Sequence, residues 1–179
     1  VRSRGALVAL LLLLMLAETL LESFAASWTA YAFEVRGMSA RDASLALVLF
    51  WVGMAASRFS VAALPARWTV RPLMAASAAG VLASAACLVA LPWLPGRLAA
   101  VFLLGLLLGP LWPVIVVTAS STFRSDALTS AVIGMGAAGY ALGPLAGSLA
   151  LRLGLARQLF GAHLLLACLV GLCFVAFRL

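Results

Sequence analysis

The sequence predicts an all-α, polytopic membrane protein with six transmembrane helices. Hydrophobic residues make up 66% of the 179 residues and charged residues only 9%, whereas soluble domains contain about 45–50% apolar and about 25% charged residues. The apolar residues fall into six runs, and each is long enough to cross a bilayer, which takes about 20 residues. Short connections join the runs, and none of them has room for a soluble domain. The lipid bilayer is therefore the expected solvent.

The predicted spans follow the hydropathy, and the connections carry turn residues. Between spans one and two, Gly37 is predicted to end the first helix, while Ser39 with Asp42 resembles a capping box for the second. Span one is long, so we expect it to tilt or to extend beyond the bilayer. In chain order the six spans are 5–33, 44–64, 72–91, 98–122, 129–151 and 155–177.

The charged residues argue for a membrane protein and against a nucleic-acid-binding protein. The formal net charge is +7, and all 12 basic residues are arginines. They are dispersed between the apolar runs, whereas a nucleic-acid-binding domain needs them clustered on one soluble face. With both termini inside, the other face holds five arginines, against seven on the inner face, which favours cytoplasmic termini in a cell membrane. These five are Arg36, Arg41, Arg97, Arg152 and Arg157.

Two glutamates lie inside span one. Glu18 and Glu22 are four residues apart, so they share one helix face. A charge at the centre of the bilayer costs roughly 3 kcal/mol even on lenient scales. Two interpretations remain open: a proton or substrate site that faces a cavity, or a pair near the membrane surface that a long, tilted helix reaches.

Arg58 is the corresponding cation in span two, with apolar residues on both sides. It lies seven residues before Pro65, so its side chain could extend to the inner interface. An ion pair with another helix is the alternative. A structural or gating role and direct contact with a substrate are both compatible with this position.

Span four is predicted to be bent and to permit close helix packing. Gly105 and Gly109 form a GxxxG pattern, which allows another helix to approach closely. Pro110 and Pro113 remove two backbone donors and are expected to kink the helix. Broken helices are tolerated at membrane depth where they are buried in protein or line a cavity. Trp112, between the prolines, is either a cavity-lining residue or an ordinary packing residue.

Span five carries small residues along one face. Gly139, Gly143 and Gly147 recur at every fourth position, and Pro144 adds a bend. Such a repeat favours tight pairing with a neighbouring helix. The pattern predicts packing and does not specify a substrate.

The remaining reactive residues predict no enzyme, no metal site and no cofactor. His163 is the single histidine and has no neighbouring metal-ligand residues, so packing is expected. Ser120 and Ser121 lack the sequence context of an intramembrane serine protease and fall near the end of a span. The cysteines lie in apolar runs without CxxC spacing; they are Cys87, Cys168 and Cys173.

The chain resembles the C-terminal six-helix half of major facilitator superfamily transporters, particularly the fucose-permease-like, sugar-transporter-like branch. Span one carries E-x5-W-x2-Y, and span two carries FWxGxxxxR ending at Arg58. Spans four and five carry the glycine–proline patterns described above. Through this resemblance Trp28 joins Glu18, Glu22, Arg58 and Trp112 as a candidate for the substrate or proton pathway. The first pattern consists of Glu22, Trp28 and Tyr31; the second begins with Phe50, Trp51 and Gly53.

The connection after span two resembles a degenerate form of the superfamily's cytoplasmic loop. Leu64, Arg67 and Arg71 match the loop, whereas Ala66 stands where the family has Asp and Thr69 where it has Gly. This departure is commoner in the C-terminal repeat of the family. The resemblance therefore places Arg67 and Arg71 in the cytoplasm.

The resemblance implies secondary transport of a small-molecule substrate by alternating access, with protons as a candidate coupling ion. The implied partner is an N-terminal six-helix half, which is missing from this chain. The chain opens on Val1 and not on Met, so we expect a fragment of a twelve-helix polypeptide. The alternative is a complete six-helix protein that dimerises, either as a half-size transporter or as a non-transporting scaffold.

Overall fold

The protein is an all-helical bundle with six membrane spans. The computed structural model describes residues 3–63 and 70–178. Six stretches of these residues are long and apolar enough to cross a membrane, which confirms the predicted fold class. The fourth span consists of two helices, and the sixth begins with a short 3₁₀ helix, Ala156–Gln158. The helices are α1 (Arg4–Glu34), α2 (Ala40–Ala63), α3 (Val70–Ala90), α4 (Leu94–Leu108), α5 (Leu111–Phe123), α6 (Asp126–Arg152) and α7 (Leu159–Arg178).

The turn between α1 and α2 follows from its local sequence. Gly37 has a φ of +80° and its N–H donates to the carbonyl of Glu34 at 2.8 Å. A residue without Cβ adopts this left-handed conformation at little cost, so the helix ends here. The Ser39 hydroxyl donates to the Asp42 carboxylate at 2.7 Å and accepts from the Asp42 N–H at 3.2 Å. This reciprocal pair caps the start of α2.

The fourth span breaks at its first proline. α4 ends at Leu108 and α5 begins at Leu111, with Gly109 and Pro110 between them. Pro110 has no N–H to continue the helical ladder, and its ring collides with the preceding turn. The interruption falls where the sequence predicts a kink. Gly109 and Pro110 keep right-handed helical dihedral angles, so the backbone is not unwound here.

α1 occupies the centre of the bundle and packs most extensively against α6. The Ser23 hydroxyl donates to the carbonyl of Gly139 at 3.3 Å, and the Trp28 indole N–H donates to the carbonyl of Pro144 at 3.2 Å. Both bonds join residues 116 positions apart. A constant offset along two helices means that they run parallel in a fixed register.

Glycines allow the close helix approaches. A Cβ placed on Gly143 would lie 2.5 Å from the Phe24 backbone nitrogen, and one on Gly139 would lie 2.6 Å from the Leu16 carbonyl oxygen. Gly105 of α4 and Gly109, just after α4, approach the backbone of α2 in the same way, at Phe50 and Met54 respectively. Gly147 faces the Trp28 ring. The backbones of α1 and α6, and those of α2 and α4, are therefore nearly in contact.

The two ends of the bundle differ. At one, which we call the terminal end, the starts of α1 and α3 meet the ends of α5 and α7 around a cavity of about 220 Å³ that includes Arg71 in its wall. At the opposite end, α1 ends and α4 and α7 begin. Arg67 lies outside the described residues, as do Leu64, Ala66 and Thr69.

Candidate functional site

The two glutamates of α1 face the interior of the protein. One helical turn separates Glu18 from Glu22, so both side chains leave α1 on the same side. Glu18 is completely buried and Glu22 is 4% exposed. Because other helices surround this part of α1, neither carboxyl group lies at the protein surface. The burial shows that the pair faces other helices; its depth in the membrane, which the sequence leaves open, stays a prediction.

Glu22 forms an ion pair with Arg58 of α2. The arginine Nη2 lies 2.9 Å from the glutamate Oε2, which is the distance of a charge-assisted hydrogen bond. Among the residues that the structure describes, this is the one ion pair. The Arg58 side chain is 41% exposed, whereas that of Glu22 is 6% exposed. Arg58 therefore makes the interhelical ion pair, while part of its side chain remains exposed.

Glu18 lies one turn before Glu22 and has no hydrogen-bond donor. Within the described ranges, its two carboxyl oxygens are the only buried side-chain nitrogen or oxygen atoms without a hydrogen-bond partner. Glu22 and Arg58 are the charged groups near enough to act on it. A buried carboxylate without donors is costly. A protonated carboxyl group carries no net charge and supplies an O–H that can donate to a neighbouring carboxylate.

A cleft of about 600 Å³ opens beside the ion pair. Glu22 and Arg58 reach it from α1 and α2, Trp112 and Pro113 from the first turn of α5, and Tyr140 from α6. Trp112 and Pro113 directly follow the proline interruption of the fourth span and form part of the cleft wall. The remaining lining residues are Thr19, Val61, Ile133, Gly136 and Ala137.

Trp28 is not brought to the cleft. Its indole N–H donates to the carbonyl of Pro144, its ring faces Gly147, and it makes an edge-to-face contact with Tyr31 at 6.0 Å between ring centroids. These contacts place Trp28 in the interface between α1 and α6. Trp28 is grouped with Glu22 because of the sequence pattern alone. The two residues are six positions apart, so their side chains leave α1 at different heights and on different sides.

Thr19 and Tyr140 line the cleft and are missing from the residues selected on sequence. Thr19 donates to the Met15 carbonyl at 2.8 Å within α1. Tyr140 is 45% exposed and is the one aromatic residue of α6. The sequence contains a feature that could have identified Tyr140: it is a single large aromatic residue in a helix of mostly small residues, so its ring is available to fill a groove. Thr19 gives no such signal.

His163 packs in the core beside Thr29, far from Ser121. It is fully buried; its Nδ1 lies 2.8 Å from the Leu159 carbonyl and its Nε2 lies 3.2 Å from the Thr29 hydroxyl. Ser121 lies near Leu7 at the terminal end. Leu7 and Thr29 are separated along α1 by about 33 Å, at 1.5 Å per residue. In the part of the chain that the structure describes, no three His, Cys, Asp or Glu side chains are grouped as metal ligands.

No protein-family model matches the chain, and no curated protein sequence matches it. The resemblance to the major facilitator superfamily therefore rests on the motifs quoted above. The features that bear on function are the cleft, the ion pair and the buried carboxyl group of Glu18.

Proposed function

We propose that this chain is one six-helix half of a secondary transporter, and that protons drive the transport of a small solute through the cleft at Glu22 and Arg58. The observation that carries the proposal is the ion pair at the wall of the cleft, with the unpartnered carboxyl group of Glu18 behind it. The proline interruption beside Trp112 supports it, because a helix with missing backbone hydrogen bonds is tolerated at membrane depth where it lines a cavity.

The depth of the site supports a function over a purely structural role. Glu22 lies about 27 Å along α1 from Arg4 and about 18 Å from Glu34, at 1.5 Å per residue. We propose that the hydrocarbon core, about 30 Å thick, is centred on α1, which would place the carboxyl group well inside it. Ionisable groups at such depth are expensive and usually mark a pathway for a substrate or an ion.

Arg58, Glu22 and Glu18 can link the binding of a proton to the breaking of an ion pair. In the observed arrangement, Arg58 neutralises Glu22. We propose that Glu18, which has no such partner, carries a proton. When a polar solute attracts Arg58, Glu22 loses its partner and takes up a proton from the open cleft, while Glu18 stays protonated and neutral. Release of the solute restores the ion pair. Proton movement and solute binding are then coupled through Arg58.

The expected partner covers the cleft. Less of α2 and α6 is buried than of α1 or the fourth span. Small residues occupy exposed positions of α6 near the cleft, including Gly134, Ala137 and Ala141. We propose that an N-terminal six-helix half packs on this side and closes the cavity by alternating access. The termini are proposed to lie in the cytoplasm, as the arginine distribution favours.

Uptake by the full-length protein in proteoliposomes tests the proposal. A panel of labelled monosaccharides is offered with and without an inward proton gradient, because the resemblance is to sugar transporters. Glu22→Gln keeps the shape of the side chain and removes its titratable group. We expect this variant to lose gradient-driven accumulation and to retain solute exchange at equal pH. Glu34→Gln is the matched control, since Glu34 is an exposed carboxylate on the same helix. Normal accumulation by the Glu22→Gln variant would show that this carboxylate has no part in coupling.

A further inference from the structure

Three arginines from distant parts of the sequence converge at the opposite end of the bundle. Arg36 follows the end of α1, Arg97 lies in the first turn of α4, and Arg157 lies in the 3₁₀ helix before α7. Together with Val35 and Gly37 they line an open cavity of about 590 Å³. We call them the arginine cluster. It is separate from the cleft at Glu22 and Arg58.

Two of the guanidinium groups are held on the ring of Phe160. The central guanidinium carbon lies 4.3 Å from the ring centroid in Arg36 and 5.4 Å in Arg97. Both are within the range of cation–π contact. Phe160 is fully buried, so the platform that holds the two cations is itself fixed in the core.

Backbone carbonyls orient the same two arginines and leave most of their donors free. Arg36 donates from Nη2 to the carbonyl of Arg157 at 3.0 Å, and Arg97 donates from Nε to the carbonyl of Leu91 at 2.8 Å. A guanidinium carries five N–H donors. Each of these two groups therefore keeps several donors after its single backbone bond.

Within the described residues, none of the three arginines forms an ion pair. The carboxylates at this end of the bundle, Glu34 and Asp42, therefore lie beyond ion-pair distance of the cluster. Burial lowers the pKa of Arg36, and the positive charge of Arg97 lowers it further. The cluster thus concentrates positive charge without a direct carboxylate partner.

We propose that the arginine cluster binds a phosphate-type oxyanion. Arginine forks match the oxygens of a tetrahedral phosphate and can hold it by paired, charge-assisted hydrogen bonds. The anion is either the headgroup phosphate of an anionic lipid or free phosphate; the two present the same chemistry to the cavity. The proposal does not depend on the transport function proposed above.

Thermal unfolding of the purified full-length protein tests the site. In detergent, the unfolding midpoint is measured against inorganic phosphate, with chloride at equal ionic strength as the reference. In lipid nanodiscs, phosphatidylglycerol is compared with phosphatidylcholine. Arg157→Gln is the primary variant, because its side chain is exposed and makes no hydrogen bond among the described residues. Arg97→Gln is the second variant. Arg152→Gln is the matched control, since Arg152 is an exposed arginine at the same end that does not line the cavity.

We expect phosphate or phosphatidylglycerol to raise the midpoint of the wild type and of the Arg152→Gln control. Loss of one arginine of the cluster should weaken anion binding roughly tenfold, which corresponds to about 1.4 kcal/mol. If soluble phosphate raises the midpoint, the cluster binds the free anion. If only phosphatidylglycerol raises it, the ligand is a lipid headgroup. The proposal is overturned if neither anion raises the midpoint, or if Arg157→Gln and Arg152→Gln respond alike.

Discussion

Gly143 offers the sharpest test of how α1 and α6 are held together. A methyl group added there would lie 2.5 Å from the Phe24 nitrogen and 2.8 Å from the Ser23 carbonyl carbon, and it would also meet the Ser23 hydroxyl. Ordinary contacts between such atoms are about 3.5–4.0 Å. Neither the Phe24 nitrogen nor the Ser23 carbonyl carbon belongs to a flexible side chain that could turn away.

The expected cost follows from that distance. To accept Gly143→Ala, α6 must withdraw from α1 by about 1 Å, and overpacking of this kind costs about 1–3 kcal/mol. Withdrawal also stretches the hydrogen bond from Ser23 to the Gly139 carbonyl. Gly143→Leu requires a much larger separation. We expect the leucine variant to lose folding or transport altogether.

Gly171 of α7 provides a control inside another helix. A Cβ at this position meets no atom within 4 Å, so Gly171→Ala should stabilise α7 by up to about 1 kcal/mol through helix propensity. Thermal unfolding in detergent measures both alanine variants against the wild type. We expect the midpoint to fall for Gly143→Ala and to stay level or rise for Gly171→Ala. Equal shifts in the same direction would refute the account of a close approach between backbones.

Two further predictions concern the ion pair and the first turn. Arg58→Ala leaves the Glu22 carboxylate buried without its partner, so it should destabilise the protein more than the double variant Arg58→Ala with Glu22→Gln. A double-mutant cycle of unfolding midpoints should give a coupling of about 0.5–3 kcal/mol between the two residues. Additive effects of the two substitutions would contradict the ion pair. Gly37→Ala forces a side chain into a left-handed conformation, so it should destabilise by about 1–2 kcal/mol, whereas Gly161→Ala, which meets open space inside a helix, should not lower the midpoint.

The positions of the helices could be predicted because membrane depth and proline chemistry leave few choices. Six apolar runs fix six spans, and Pro110 forces an interruption in the fourth. The turn at Gly37 and the cap at Ser39 are equally local, since each depends on residues only a few positions apart. The 3₁₀ helix before α7 leaves no comparable signal in the sequence.

The contacts between helices could not be predicted in the same way. In a bilayer, both the lipid-facing side and the buried side of a helix are apolar, so hydropathy does not show which way a residue points. The sequence leaves Arg58 with two possible environments, and its ion pair with Glu22 emerges only when α1 and α2 are placed side by side. The arginine cluster illustrates the same limit. Loop counting assigns Arg36, Arg97 and Arg157 to one face, but their convergence on Phe160 depends on the packing of three spans.

The fixed offset between α1 and α6 has a mechanical consequence. A screw displacement of α6 by one residue, about 1.5 Å along the axis, would replace the three glycines at the contact by their successors, which are Tyr140, Pro144 and Ser148. These side chains do not fit where a Cβ already collides, so the neighbouring registers are closed. The register of α1 and α6 is therefore fixed. We expect the two helices to move together, and we expect rearrangement of the bundle at their less extensive contacts with α2 and α5. The distance between spin labels on α1 and α6 should then stay constant. It provides an internal reference against which the movement of the other helices can be measured.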